Sequence, residues 1–301
     1  MSSTPPARKE RLDTLAVSLL LGCCLLWGMQ QVLIKWTLSE MPPVFQAWMR
    51  MLGATVLLVL WCRLRGIPWW HGDGTLRAGL LAGLLFAAEF VCIYIGMQYT
   101  GSSRLTVFLY TSPFWVALLV PLWARSERLH PWQWVGLVVA FGAVIFALRE
   151  GLMQAEGATL AGDLFGLAAG LFWGLTTVVI RGSSLTQVRP EKLLLYQVSV
   201  SALLLPCLSL TLGEAWRWDY SAWAWGAAAA QASLGGFISF LIWMWLLGRY
   251  PVTRVTSFSF FTPLFTLVFA ALWLGETITT GVLLALAAVA AGMVLMNRPG
   301  R

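Results

Sequence analysis

Trp27-Gly28-Met29-Gln30-Gln31-Val32-Leu33-Ile34-Lys35 returns 146 residues later as Trp173-Gly174-Leu175-Thr176-Thr177-Val178-Val179-Ile180-Arg181. The Trp, the Gly, one Val, the Ile and the closing basic residue coincide. A second match lies further on. Arg104, Ser112-Pro113-Phe114 and Trp123 align with Arg254, Thr262-Pro263-Leu264 and Trp273 at an offset of 150, which also carries Gly142 onto Gly292. Glu127 and Glu276 fall one residue out of step. Agreement at several places with a nearly constant offset reads as an internal duplication. The halves are about residues 1–150 and 151–301.

Both quoted stretches lie in long apolar runs. Of the 301 residues, 59% are apolar and only 11% charged, with a mean hydropathy of +0.76. A soluble domain carries roughly 25% charged residues. This composition argues against a cytosolic enzyme or a DNA-binding protein. Runs long enough to span a bilayer fall at about 15–36, 43–62, 77–97, 104–124, 131–149, 161–181, 190–212, 222–247, 253–274 and 279–297. At about 20 residues per span, ten helices need about 200 residues, which leaves only short connections. The expected fold is an all-α polytopic membrane protein. Five helices per half is an odd number, so the second half must enter the bilayer from the opposite side. The expectation is ten transmembrane helices as two inverted five-helix repeats, an architecture used by many secondary transporters.

Formal charge is +7, but the basic residues sit between apolar runs rather than on a soluble surface. All but five of the 20 Lys and Arg fall on one face of the expected topology; the exceptions are Lys35, Arg50, Arg104, Arg149 and Arg217. Positive charge marks the cytoplasmic side, so both termini are expected there. The first run is too long for a signal peptide and reads as a retained span. The five cysteines lie in or beside apolar runs and read as small core residues rather than a disulfide framework. His71 and His130 lie in polar connections. No metal-ligand spacing is present, and no cofactor is expected.

These features together resemble the EamA group of the drug/metabolite transporter superfamily. The Trp-Gly opening of each half, Arg50 in span two, the Ser/Thr-Pro of spans four and nine, and Glu127 and Glu276 carry the likeness, which covers essentially the whole chain. The resemblance implies export of amino acids or other metabolites. The aromatic-rich spans are similar to those of the bacterial aromatic amino acid exporters. An integral protein of a bacterial inner membrane is implied, working as a monomer, with a small-molecule substrate and the lipid bilayer as its partners and no nucleic acid.

Several residues are candidates for a central cavity. Ionisable groups within spans are rare and usually face protein or water. Glu89, in Phe86-Ala87-Ala88-Glu89-Phe90, either binds an amino group or a proton there, or is hydrogen-bonded between helices. Gln30 and Gln31 follow Trp27 by three and four residues and share its helix face. Thr176 and Thr177 stand in the same relation to Trp173. Such faces suit a pocket for an amphipathic metabolite, although plain helix packing would use the same residues. Tyr94, Tyr110 and Phe260 are further cavity candidates. Gly28, Pro113, Gly174 and Pro263 are candidate hinges or helix breaks; the prolines read as paired bends permitting rocking, or as static kinks. Arg50 is assigned a structural role, snorkelling to the interface or fixing an ion pair. Lys35 and Arg181 read as helix-end anchors.

An enzyme would need a nucleophile–base pair or a metal set, which the spans lack. No phosphate-binding loop for ATP is present. Nucleotide sugars would call for several cavity-facing Lys or Arg. The reading favours a secondary exporter of aromatic or large apolar amino acids, with another metabolite or drug class of the same superfamily as the alternative and a polytopic membrane enzyme behind it.

Overall fold

The computed structural model describes residues 12–68, 72–123, 158–250 and 261–296 continuously, with isolated positions between 131 and 142 and between 255 and 259. Among the described residues the regular structure is helical. The elements are α1 (Thr14–Thr37), α2 (Pro43–Leu64), α3 (Leu76–Tyr99), α4 (Ser102–Leu109), α5 (Ser112–Trp123), α6 (Ala158–Arg181), α7 (Pro190–Thr211), α8 (Ala222–Ala230), α9 (Ser239–Arg249), α10 (Phe261–Leu274) and α11 (Thr280–Met296). A π-helical segment, Gln231–Ile238, joins α8 to α9 without a break. Among the described residues, six helices are long and apolar enough to cross a membrane: α1, α2, α3, α6, α7 and the α8–α9 run. The expected span five, 131–149, lies mostly outside the described residues.

Local chemistry explains where the helices begin. Asp13 caps α1 by accepting the Ala16 amide at 2.9 Å, and Ser221 caps α8 by accepting that of Ala224 at 3.1 Å. Pro43 and Pro190 open α2 and α7, where a missing N–H costs nothing. Gly66 and Gly213 follow the ends of α2 and α7 with φ of 60° and 74°. Each supplies the left-handed turn that stops a helix.

The connections from α1 to α2 and from α2 to α3 are short, so these helices alternate in direction. The starts of α1 and α3 and the ends of α2, α6 and α9 therefore share one end of the bundle, called proximal here. The starts of α2, α4, α6 and α8 and the ends of α1, α3 and α7 share the distal end.

The two Trp-Gly helices make matched contacts. A Cβ on Gly28 of α1 would come within 2.7 Å of Phe265 Cβ and 2.9 Å of Thr266 N in α10. A Cβ on Gly174 of α6 would come within 2.8 Å of Trp115 Cβ and 3.5 Å of Val116 N in α5. At the repeat offset of 150, Phe265 and Thr266 are the counterparts of Trp115 and Val116. Each Trp-Gly helix thus packs on the proline-bearing helix of the opposite half.

That packing corrects one expectation. Gly28 and Gly174 do not break their helices, since α1 and α6 each run unbroken for 24 residues. Both glycines exist for close backbone approach. The prolines behave differently. Pro113 is the second residue of α5 and Pro263 the third of α10, first-turn positions that tolerate proline. The break in span four lies just upstream, at Tyr110 and Thr111, between α4 and α5.

Candidate functional site

A cavity of about 190 Å³ lies among α1, α2, α3, α6, α7, α9 and the α4–α5 break. At about 30 Å³ per water in the liquid, that is the space of roughly six waters. Both halves of the chain contribute walls. Trp27, Gln30, Gln31, Glu89 and Tyr110 come from the first half, and Trp173, Thr176 and Thr177 from the second. The structure therefore gathers eight of the sequence candidates in one place. The lining runs from Gln31 and Arg50 to Ile180 and Met244, near the proximal ends of α6 and α9.

Aromatic rings form much of the wall. Trp27 sits 5.7 Å from Phe240 and 4.9 Å from Trp243, and its indole N–H donates to Ser239 Oγ at 2.8 Å. Tyr110 meets Trp173 edge to face at 5.4 Å, a favoured geometry for aromatic pairs. Tyr110 reaches the cavity because the chain turns out of helix at that residue.

The polar groups fall into two sets. Thr176 donates its hydroxyl hydrogen to Phe172 O at 2.8 Å and Thr177 to Trp173 O at 3.1 Å. With the donors bonded back to their own helix, these threonines offer the cavity only lone pairs. The second set is buried and incompletely partnered. Gln30, Gln31, Glu89 and Gln197 are each between 4% and 6% exposed. Gln30 Oε1, Gln31 Oε1, Glu89 Oε2 and Gln197 Oε1 have no hydrogen-bond partner. Groups of this kind are normally satisfied in folded proteins, so their convergence on one cavity makes it the candidate site.

Two of the cavity candidates are not among these eight, and Arg50 departs from its expected role. Tyr94 is not a cavity residue. It is fully buried, and its hydroxyl donates to Gln231 Oε1 at 2.6 Å. Five residues of helix rotate it well away from Glu89, so one face cannot hold both. Phe260 lies outside the described residues. Arg50 does not snorkel: it is 1% exposed and lines the cavity, with its guanidinium 4.3 Å from the centre of the Phe90 ring. Gln197, Phe86, Phe240 and Trp243 were also missed. For Gln197 a signal existed, a lone amide within an apolar run.

The π-helical segment was not foreseen either. Such segments often mark functional sites. Here it presses Gly235 and Gly236 against α1 and α2. A Cβ on Gly235 would overlap Gln30 Oε1, and one on Gly236 would sit 3.6 Å from Arg50 Nε.

The distal end is tied across the halves. Glu276 accepts the amide and hydroxyl hydrogens of Ser102 at 2.7 and 2.9 Å and those of Ser103 at 3.1 and 2.6 Å. Its carboxylate thereby caps the positive end of α4. Glu214 does the same for α2, accepting from Val44 N at 2.9 Å and Phe45 N at 2.8 Å. Lys35 donates to Met97 O at 2.6 Å and Thr100 O at 3.0 Å, which fastens the end of α1 to that of α3.

Among the described residues, no group of three His, Cys, Asp or Glu gathers to hold a metal. The profile of the EamA-like transporter family matches residues 14–149 and 160–298. An uncharacterized transporter of Synechocystis is 27% identical, over 91% of this chain and 87% of the relative. A probable amino-acid metabolite efflux pump of Salmonella typhimurium is 25% identical, over 84% and 85%. A protein crystal structure superposes with a TM-score of 0.66 at 16% identity, covering 94% of this chain and 96% of the other, which supports the fold alone.

Proposed function

Because the chain belongs to the EamA-like transporter family, a family of integral membrane transporters rather than enzymes, we propose that it is a secondary exporter of small amphipathic amino acids, aromatic or large apolar. It works by alternating access through the central cavity. The observation that carries this reading is that cavity itself: walls from both halves, several aromatic faces, and a few buried polar groups without partners. Such a lining suits a ligand that is apolar over most of its surface and polar at one end. The printed name of the Salmonella relative, an amino-acid metabolite efflux pump, points to the same class.

The topology belongs to the same proposal. Ten spans form two inverted five-helix repeats, with both termini in the cytoplasm of a bacterial inner membrane, and one chain suffices for transport. The matched contacts of Gly28 and Gly174 support the repeat. The concentration of basic residues on one face supports the orientation, which makes the distal end periplasmic. The cross-half caps then seal the periplasmic side while the cavity reaches toward the cytoplasm.

The test is uptake by proteoliposomes of a panel of labelled amino acids, with and without a pH gradient. Saturable uptake of phenylalanine, tyrosine, tryptophan or leucine is the expected result. No uptake of any amino acid, alongside transport of a cationic drug, would move the protein to another substrate class.

A further inference from the structure

We propose that Arg50 and Glu89 are the two jaws of a zwitterion clamp, Arg50 taking the carboxylate of an α-amino acid and Glu89 its ammonium group. This rests on the amino-acid reading above and assigns the atoms that would enforce it.

The two side chains line one cavity, are a base and an acid, and are almost wholly buried, at 1% and 6% exposed. They nevertheless leave atoms unpaired. Arg50 Nε and Nη1 and Glu89 Oε2 have no hydrogen-bond partner. The Arg50 guanidinium rests on the ring of Phe90, the residue next to Glu89, and Glu89 lies close enough to act on it electrostatically. A buried guanidinium and a buried carboxylate held apart are costly unless something completes them. The guanidinium offers a planar fork of N–H donors that matches a carboxylate. The carboxylate is acceptor-only and suits an ammonium, which has three donors and no acceptor.

One ligand chemistry satisfies both at once. An α-amino acid carries its two charges on a single carbon. Its net charge is zero, so the cavity keeps its own balance when the ligand enters. An amine would leave Arg50 unmatched, and a carboxylic acid would leave Glu89 unmatched. The amides extend the match: the unpartnered Oε1 atoms of Gln30, Gln31 and Gln197 are acceptors for the remaining ammonium hydrogens. The rings of Trp27 and Trp173 then face the substrate's apolar side chain. A space of about 190 Å³ suits one molecule of that size.

The test uses the purified full-length protein and three probes of similar shape: L-phenylalanine, 2-phenylethylamine, which lacks the carboxylate, and 3-phenylpropionate, which lacks the ammonium. Calorimetric titration of the unmodified protein should give phenylalanine at least tenfold tighter binding than either partial probe. Arg50→Gln should weaken phenylalanine at least tenfold while changing 2-phenylethylamine less than threefold. Glu89→Gln should weaken phenylalanine similarly while changing 3-phenylpropionate less than threefold. Arg50→Lys, which keeps the charge without the fork, should fall between the unmodified protein and Arg50→Gln.

Equal affinity of the unmodified protein for all three probes would overturn the clamp, and so would variants that weaken all three by one factor. The unmodified protein decides the matter even where a variant fails to fold. If the proteoliposome panel shows amino-acid uptake and the probes show no discrimination, the clamp falls and the transport reading stands. If the panel shows none and a cationic drug is carried, both fall.

Discussion

Arg104 Nε and Nη2 meet Asp163 Oδ1 and Oδ2 at 2.7 Å each, a two-pronged ion pair with side chains 8% and 0% exposed. It joins α4 of the first half to α6 of the second, at the distal end. A planar fork on a carboxylate is the strong form of such a contact. Removing one partner takes away the other buried group's counter-ion, at a cost of about 3–5 kcal/mol. Arg104→Ala and Asp163→Ala should each lower the melting temperature of the detergent-purified protein sharply. The paired replacement Arg104→Met with Asp163→Leu should recover most of that loss. An unchanged melting temperature in the single variants would show that the pair contributes nothing.

Glu276 holds four hydrogens at the start of α4, and a Cβ on Gly101 would come within 2.8 Å of its Oε2. Gly101→Val should therefore push the carboxylate off its cap and act like Glu276→Ala. Both should speed the reaction of a cysteine placed at Gln31, in a background without the native cysteines, with a membrane-impermeant thiol reagent added from the distal side. If neither variant changes the rate, the cap does not seal that end.

The glycine contacts predict a graded series. Gly28→Ala and Gly174→Ala each force a Cβ to within 2.9 Å of a neighbour, and overpacking of this kind costs about 1–3 kcal/mol. Gly22→Ala, in the same helix as Gly28, meets nothing within 4 Å and should be neutral or slightly stabilising through helix propensity. Thermal melting of the three variants checks the order.

Lys192 donates to Asp73 Oδ2 at 2.7 Å, and Thr75 adds its hydroxyl to Asp73 Oδ1 at 2.6 Å. The Lys192 ammonium and then the Thr75 hydroxyl hold the Asp73 carboxyl below its ordinary range. A depressed carboxylate adds stability above its unfolded value of about 4 and loses it as pH falls further. The melting temperature of the unmodified protein should exceed that of Asp73→Asn at pH 6. The gap should begin to narrow below about pH 4 and go on shrinking as pH falls through the depressed value. A gap that does not narrow between about pH 4 and pH 2 would rule out the linkage.

Glu89→Gln preserves shape and removes charge. A hydrogen bond to a charged group contributes about 1.5–3 kcal/mol, so flux in proteoliposomes should fall about tenfold or more. Unchanged flux and pH dependence would remove Glu89 from the transport cycle.

Depth along a helix is readable from a sequence, whereas the direction a side chain takes depends on what packs around it. The apolar runs located the six long helices, and the spacing of Trp27, Gln30 and Gln31 placed them on one face. Arg50 shows the limit. Its position seven residues after Pro43 suits a side chain reaching water, and only the packing of α2 against α3 turns it inward. Tyr94 was counted with Glu89 although their separation sets them on different faces. Arg104 and Asp163 are 59 residues apart, and Glu276 reaches Ser102 across 174. No local pattern announces such partners, because tertiary proximity alone creates them.

The crossed packing of Gly28 has a price during synthesis. Its counterparts Phe265 and Thr266 emerge 237 and 238 residues later, roughly 12–48 s at 5–20 residues per second. Throughout that interval the newborn first helix must wait in lipid without the helix that Gly28 packs against, and for most of it Trp27 lacks Ser239 and Phe240 as well. The nascent protein is therefore most vulnerable to misassembly and degradation before its last quarter leaves the ribosome, and a slowdown in translating that quarter would prolong the danger.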